Sequence, residues 1–396
     1  MANETALRRE SVTRRRTRSV HSNGVALNGT RVIAVGNLDY TSLLVVTLLL
    51  LIGIVMVFSS SYYNAAYNPD QGAYYFLKRQ GVFAAVGFIA MLFVSNVNYR
   101  FLLRFTPLIY VTALAMQAIL PIMGSASHGA TRWLELPFIG RFQPSEVSKL
   151  AIIFAIAYIL HRRPNILKTW KGFMICCGVV MVMAGLVLLG NLSTALVVCV
   201  IGVGMIFVAS PHILRFVVAG VSGVAALVSY IAIFARDFRG ERFNAWLDPF
   251  VDPQGYGFQA IQSLFAVASG GPFGLGLGES RQKSFIPEPH NDFIFAIICE
   301  ELGAVGAGLV LLLFGILIWR GIKIAIEATD MFSSLLATGI IIMIATQVVI
   351  NIAVVTNSIP NTGIPLPFIS YGGTGLLITM SLMGVLLNIS RYSKQQ

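Results

Sequence analysis

Charge is what this chain of 396 residues has least of: Asp and Glu number 17, and charged side chains make up only 11% of it. With 56% hydrophobic residues and a mean hydropathy of +0.77, the chain carries more apolar surface than one soluble core could hide, which excludes an ordinary water-soluble domain. Cysteine is scarce as well. Cys176, Cys177, Cys199 and Cys299 all fall inside apolar runs without metal-ligand spacing, and they read as small packing residues. The five histidines are scattered and form no ligand cluster. No P-loop, dinucleotide-binding glycine pattern or H-E-x-x-H is present, so there is no soluble energy-coupling domain.

What remains is an all-α polytopic membrane protein with about ten transmembrane helices. The apolar runs place them near Thr41 to Ser60, Phe76 to Asn96, Phe101 to Met123, Ser145 to Leu160, Gly172 to Leu189, Leu192 to Ala209, Ile213 to Phe234, Phe293 to Trp319, Phe332 to Val355 and Ile369 to Asn388. The stretch from Phe173 to Ala209 would be roughly 55 Å long as one helix, against a hydrocarbon core of about 30 Å, so it must turn back, with Gly190-Asn191 at the tip. Most of the 28 Lys and Arg fall on one side of these spans, which predicts that both termini are cytoplasmic and that a long loop, about residues 235–291, is extracellular.

Residues 1–39 form a basic arm with Arg8, Arg9, Arg14, Arg15, Arg16 and Arg18 and hardly any apolar periodicity, which predicts disorder. It is too long for the n-region of a signal peptide, and no small-residue cleavage site follows the first apolar segment, so that segment is expected to stay as an anchor. Residues 40–392 form the membrane domain, and 393–396 a short cytoplasmic tail. The formal charge of +11 calls for no nucleic acid, because the arm's arginines sit where anionic membrane lipids would attract them.

Polar residues beside the membrane are few, and they group into motifs. In Pro287-Glu288-Pro289-His290-Asn291-Asp292-Phe293-Ile294-Phe295 an acidic loop runs without a spacer into an apolar helix, pinning Asp292 where water meets hydrocarbon. Asp292 could serve as an N-cap, or as a general base, with Glu288 and His290 clustered beside it and Arg281 and Lys283 on the same side. In Gln143-Pro144-Ser145-Glu146-Val147-Ser148-Lys149-Leu150, Glu146 and Lys149 share a helix face. They could pair structurally, or Lys149 could offer a cation to an anionic ligand such as a pyrophosphate. Arg132, beside Trp133, could snorkel at the interface or meet a headgroup carrying phosphate and sugar, converging with Lys149. Glu300 and Glu301 lie two to three turns into the next span, and at least one must face the protein interior or a cavity; they could pair with Lys149 or hold a neighbouring helix end. In Pro360-Asn361-Thr362-Gly363-Ile364-Pro365-Leu366-Pro367-Phe368-Ile369-Ser370-Tyr371-Gly372-Gly373, prolines break the helix and Ser370 joins a cavity wall, because irregular backbone at that depth is tolerated only where protein or water surrounds it.

Together with Gly276 to Lys283 and Gly129 to Trp133, these motifs are similar to those of the SEDS family (shape, elongation, division and sporulation) of peptidoglycan glycosyltransferases, over roughly residues 40 to 392. Pro360-Asn361-Thr362 and Leu247-Asp248-Pro249-Phe250 look more like its division and sporulation branch than its elongation branch. Two positions depart from the family pattern: Asn291 stands where Thr is usual, and Gly190-Asn191-Leu192-Ser193-Thr194 replaces a Pro-Asp-Leu-Gly-Thr hairpin. The resemblance implies polymerisation of lipid II, the undecaprenyl-pyrophosphate-linked disaccharide pentapeptide, at the outer face of the bacterial cytoplasmic membrane. Asp292 is then the catalytic base, and Arg132, Lys149, Glu146, Lys283, Glu288, His290 and Ser370 bind substrate. A divalent cation, Mg2+ or Mn2+, is a further candidate for the leaving-group charge. Expected partners are a class B penicillin-binding transpeptidase and other division proteins at the septum. A lipid flippase is the competing reading, in which the same acidic groups steer a headgroup across the membrane.

Overall fold

The computed structural model describes residues 38–62, 74–127, 130–136, 140–218, 220, 223, 246–255 and 257–392; the basic arm before Leu38 and the tail 393–396 lie outside them. Apolar runs become helices because backbone groups in hydrocarbon must satisfy one another. The helices are α1 (Tyr40–Ser61), α2 (Tyr75–Asn96), α3 (Tyr99–Met123), α4 (Pro144–Arg162), α5 (Trp170–Leu188), α6 (Leu192–Ala209), α7 (Phe258–Ser269), α8 (Ile294–Glu327), α9 (Met331–Val355) and α10 (Gly373–Arg391). All but the short α7 are long and apolar enough to cross a membrane, nine among the described residues. Their ends match the expected spans within a few residues, except at α8. The turn between α5 and α6 lies at Gly190-Asn191, where the Asn191 side chain caps α6 by accepting from the Thr194 N–H at 3.1 Å.

The span expected near Ile213 to Phe234 falls largely outside the described residues, but its described flanks sit at opposite ends of the bundle. Arg215 donates to the carbonyls of Leu167, Lys168 and Thr169 between α4 and α5, whereas the Trp246 indole donates to the carbonyl of Asn357, beyond the end of α9.

Three features correct the sequence reading. Between α3 and α4 the chain forms a small antiparallel sheet of β1 (Ser125–Ser127), β2 (Ala130–Leu136) and β3 (Gly140–Phe142), with Leu134 opposite Phe142 and Glu135 opposite Arg141. The stretch expected as one long loop contains α7, whose buried Ile261, Ser263 and Ala266 face the bundle. Finally, α8 is longer than its apolar run and is broken at Gly303, whose φ of 65° and ψ of −168° are not helical.

That break is sealed by the preceding loop. Leu275 and Gly276 N–H groups donate to the carbonyls of Glu300 and Glu301 at 2.9 and 3.1 Å, while Ala304 and Val305 N–H groups donate to Gly271 and Pro272 at 2.9 and 3.1 Å. Two carbonyls and two N–H groups around the kink thus find partners in the loop, which is what low-dielectric surroundings require. Close approach depends on glycine: a Cβ on Gly303 would lie 2.3 Å from the Gly274 nitrogen.

At the core of the bundle α4 is buried along most of its length and packs on α3, α6 and α9, while α10 packs along α2. Two polar clusters mark the ends. At one end Arg320 forks onto Asp39 (3.1 and 2.6 Å), Ser390 accepts from the Asp39 N–H at 3.2 Å, and the Tyr99 hydroxyl donates to Asp330 at 2.5 Å. At the other, Ser59 donates to Glu301 at 2.6 Å, beside the segment that carries Asp292.

Candidate active site

Asp292 sits just before α8, on a stretch of chain gripped from three directions. Asn351, buried about one turn from the end of α9, donates to the Asp292 carbonyl at 2.8 Å and to the Ile364 carbonyl at 2.9 Å, tying the two irregular segments together. The Ser370 hydroxyl donates to the Asn291 carbonyl (2.7 Å) and accepts from the Leu366 N–H (2.8 Å). The Tyr371 N–H donates to the His290 carbonyl at 2.9 Å. Left-handed backbone in non-glycine residues is costly, and among the described residues it occurs at Glu288 (φ 48°), Asn357 (φ 53°) and Phe368 (φ 65°), all in or next to these segments. The main chain is held; the Asp292 carboxylate receives no hydrogen bond from any described residue. Gly363 lies over it so closely that a Cβ there would be 3.2 Å from Oδ2.

Burial pushes the Asp292 carboxyl up to about 6, the nearby Glu288 carboxylate pushes the same way, and the Arg132 guanidinium opposes both. This carboxyl therefore titrates close to neutral pH, the range in which a base both exists ionised and takes up a proton readily. Arg132 reaches this point from β2, anchored by a 3.3 Å hydrogen bond from Nε to the Gly190 carbonyl at the α5–α6 turn. Glu288 is tied back locally, accepting from the Asn291 side-chain amide at 2.6 Å.

His290 is buried at 3% exposure, with its ring 4.3 Å from that of Phe76 and 5.3 Å from that of Tyr371. Burial lowers its pKa to about 4, which keeps the imidazole neutral, and its Nδ1 has no partner among the described residues.

The remaining candidates lie deeper. Lys149 is 3% exposed, and its ammonium is neutralised by Glu146 at 2.7 Å in the first turns of α4. The Glu146 carboxyl lies 3.4 Å from where a Cβ on Gly375 would stand, at the start of α10. Lys283 turns inward, bonding the Gly278 carbonyl and lying 3.5 Å from Glu301. Glu300 does not meet Lys149 either. It receives the Ser280 hydroxyl (2.5 Å) and the Arg281 N–H (3.0 Å), fixing the loop that leads to Asp292. The structure thus brings Asp292, Glu288, His290 and Arg132 to one place, and seats Glu146, Lys149 and Lys283 in interior ion pairs. Asn351 escaped the sequence reading, although Gln347 and Asn351, one turn apart in an apolar span, were a legible signal.

A divalent cation would find few ligands in the protein itself: among the described residues no three His, Cys, Asp or Glu side chains are placed to hold a metal ion. Asp292 and Glu288 are the two carboxylates that could hold it, together with substrate phosphates, as suits an ion such as Mg2+.

The chain is similar in sequence and in fold to known proteins. The chain is 45% identical to stage V sporulation protein E of Bacillus subtilis, over 89% of this chain and 97% of that one. It is 40% identical to a probable peptidoglycan glycosyltransferase FtsW of Trichlorobacter lovleyi, over 89% and 93% of the two chains. Among solved structures it superposes on a component of a peptidoglycan synthase complex that coordinates polymerization and crosslinking, with a TM-score of 0.75, 29% identity and coverage of 89% and 98%. It also superposes on the rod shape determining protein RodA of Thermus thermophilus, with a TM-score of 0.67, 25% identity and coverage of 91% and 98%. The family model of FtsW, RodA and SpoVE, described as cell cycle proteins, matches residues 40–395, and the chain belongs to that family.

Proposed function

We propose that this chain is a peptidoglycan glycosyltransferase that polymerises lipid II at the outer face of the cytoplasmic membrane during division or sporulation, with Asp292 as its general base. The observation that carries this reading is a single carboxylate, without a hydrogen-bonding partner among the described residues and raised to about 6, held on a pinned main chain with a guanidinium beside it. In the reaction the acceptor's GlcNAc 4-hydroxyl attacks the anomeric carbon of the donor MurNAc. Asp292 takes the hydroxyl proton as the new C–O bond forms, and the bond to pyrophosphate breaks with its electron pair leaving on undecaprenyl pyrophosphate. The displacement inverts the anomeric centre and needs no covalent carboxylate intermediate, so one essential carboxylate suffices. Arg132 is placed to meet the negative charge of the departing pyrophosphate. Lys149 and Lys283, held in ion pairs by Glu146 and Glu301, serve the packing around the site rather than as free cations for substrate.

The end of the bundle bearing Asp292 faces outward in this reading, with Asp39 and Arg391 at the cytoplasmic end, as the basic flanks favour. A class B penicillin-binding transpeptidase is the expected partner, in keeping with the likeness to a synthase complex that both polymerizes and crosslinks.

The test is glycan polymerisation from labelled lipid II by the purified protein, with and without a cognate transpeptidase, comparing wild type with Asp292→Asn. Polymer from wild type and none from a folded mutant that still binds lipid II supports the base. Equal polymer from both removes Asp292 from that role, and none from a folded, partnered wild type shifts the weight to transport.

A further inference from the structure

Against the start of α8, on the same outer end of the bundle, lies a cavity of about 400 Å³ whose chemistry the mechanism above does not use. Its walls are Trp246, Gln254, Phe258, Gln259, Asn357 and Asn361, with Pro287 and Phe293 closing the side toward Asp292. Two links make it border on the reacting centre. Phe293 follows Asp292 directly, and Asn361 accepts the Gly363 N–H at 3.2 Å, the same Gly363 that lies over Asp292 Oδ2.

Among the described residues no charged side chain lines this cavity, which offers a pyrophosphate no cation there. Three aromatic side chains and four carboxamides are instead the groups that recognise an uncharged, hydroxyl-rich and amide-bearing ring: apolar surface for its C–H face, and donors and acceptors for its hydroxyl and acetamido groups. The site is built rather than incidental. The Trp246 indole donates to the Asn357 carbonyl at 3.0 Å, Asn357 returns a bond to the Trp246 carbonyl at 3.3 Å, and Asn361 donates to Gln259 at 2.6 Å. Gln254 is exposed and its amide bonds to no described residue, which leaves it available to a ligand.

We propose that this cavity is a saccharide subsite that seats a neutral N-acetylated hexosamine of the substrate, at the end away from the pyrophosphate. The inference rests on the glycosyltransferase reading of Asp292. It divides the site by charge: Arg132 attends the phosphate, and the cavity, whose described lining carries no charge, attends the sugar.

The probe is a soluble β-1,4-linked N-acetylglucosamine oligosaccharide, which carries neither lipid nor phosphate. Its binding to the full-length protein in detergent is followed by saturation-transfer NMR, alongside the KM and kcat of lipid II polymerisation. Wild type and Asp292→Asn should both show transfer to the N-acetyl methyl groups. In Gln254→Ala that transfer should fall, and KM should rise about five- to ten-fold with kcat unchanged, the scale of one lost hydrogen bond. A residue that served only to hold the loop would lower kcat or stability instead. Trp246→Phe, which keeps an aromatic ring, should retain binding better than Trp246→Ala. Oligosaccharide binding lost in Gln254→Ala upholds the cavity even if no variant polymerises, an outcome that would overturn the glycosyltransferase reading alone. Unchanged binding and KM in Gln254→Ala, with polymerisation intact in wild type, overturns the cavity alone.

Discussion

A carboxylate near the membrane surface can be a base only if its environment keeps it both ionisable and available. Asp292 meets both conditions, because burial raises its pKa to about 6 while its main chain, not its side chain, carries the structural hydrogen bonds. The raised value fixes the sign of the pH dependence. Below about 6 the carboxyl is protonated and cannot accept the sugar hydroxyl's proton, so kcat should fall as pH drops through that value and level off above it. A pH–rate profile of polymerisation checks this, and a rate flat from pH 5 to pH 8 would contradict it. The positioning falls to Asn351. Replacing it with Leu leaves two buried carbonyls unpaired and should destabilise the protein by about 1–3 kcal/mol, seen as a lowered Tm, and reduce kcat more than it changes lipid II binding. Asp292 itself was legible from sequence because an acid at the mouth of an apolar run stands out. The partners that make it useful were not, since Gly363 and Asn351 reach it only through the tertiary fold.

At the scale of elements, apolar runs located the spans well because hydrocarbon imposes helices wherever the backbone crosses it. Elements outside the hydrocarbon obey weaker rules. The β1–β3 sheet and α7 are short, of mixed polarity and set by packing against the bundle, so nothing in their local sequence announced them. The break in α8 was equally hidden, since a glycine inside an apolar run signals a kink only when a partner strand of chain fills it. Two neighbouring glutamates could have hinted at it: Glu300 and Glu301 sit at that depth because the loop brings Ser280, the Arg281 N–H and Lys283 to meet them. Gly303→Ala places a Cβ against the Gly274 backbone in a left-handed conformation. It should cost more than about 2 kcal/mol and lower Tm by several degrees, with loss of activity from displacement of the loop before Asp292. Circular dichroism melts and the polymerisation assay check this together; a variant as stable and active as wild type would show that the kink is dispensable.

At the scale of the whole molecule, the charges divide between the two ends of the bundle. One end is a latch of Asp39, Arg320 and Ser390 together with Tyr99 and Asp330, and it joins the entry of α1 to α8, α9 and the end of α10. The other end holds the chemistry. If that division is functional as well as spatial, Arg320→Met should lower stability by about 1–3 kcal/mol, because it strands the buried Asp39 carboxylate, yet leave the KM for lipid II unchanged. A KM shift of tenfold would instead reveal coupling between the ends. The sequence conveyed this polarity through its basic flanks, while the residues that form the latch are spread from Asp39 to Ser390 and converge only in the folded chain.

The stitching of residues 271–276 to the broken α8 bears on how the protein is made. Synthesis runs from the N-terminus, so the loop is laid down before the helix that carries Glu300 and Glu301. The donors for both carboxylates, and for the two carbonyls exposed at the kink, therefore already exist when that helix enters the bilayer. The order of segments along the chain lets two acidic side chains reach membrane depth with their counterparts waiting, instead of crossing as bare charge.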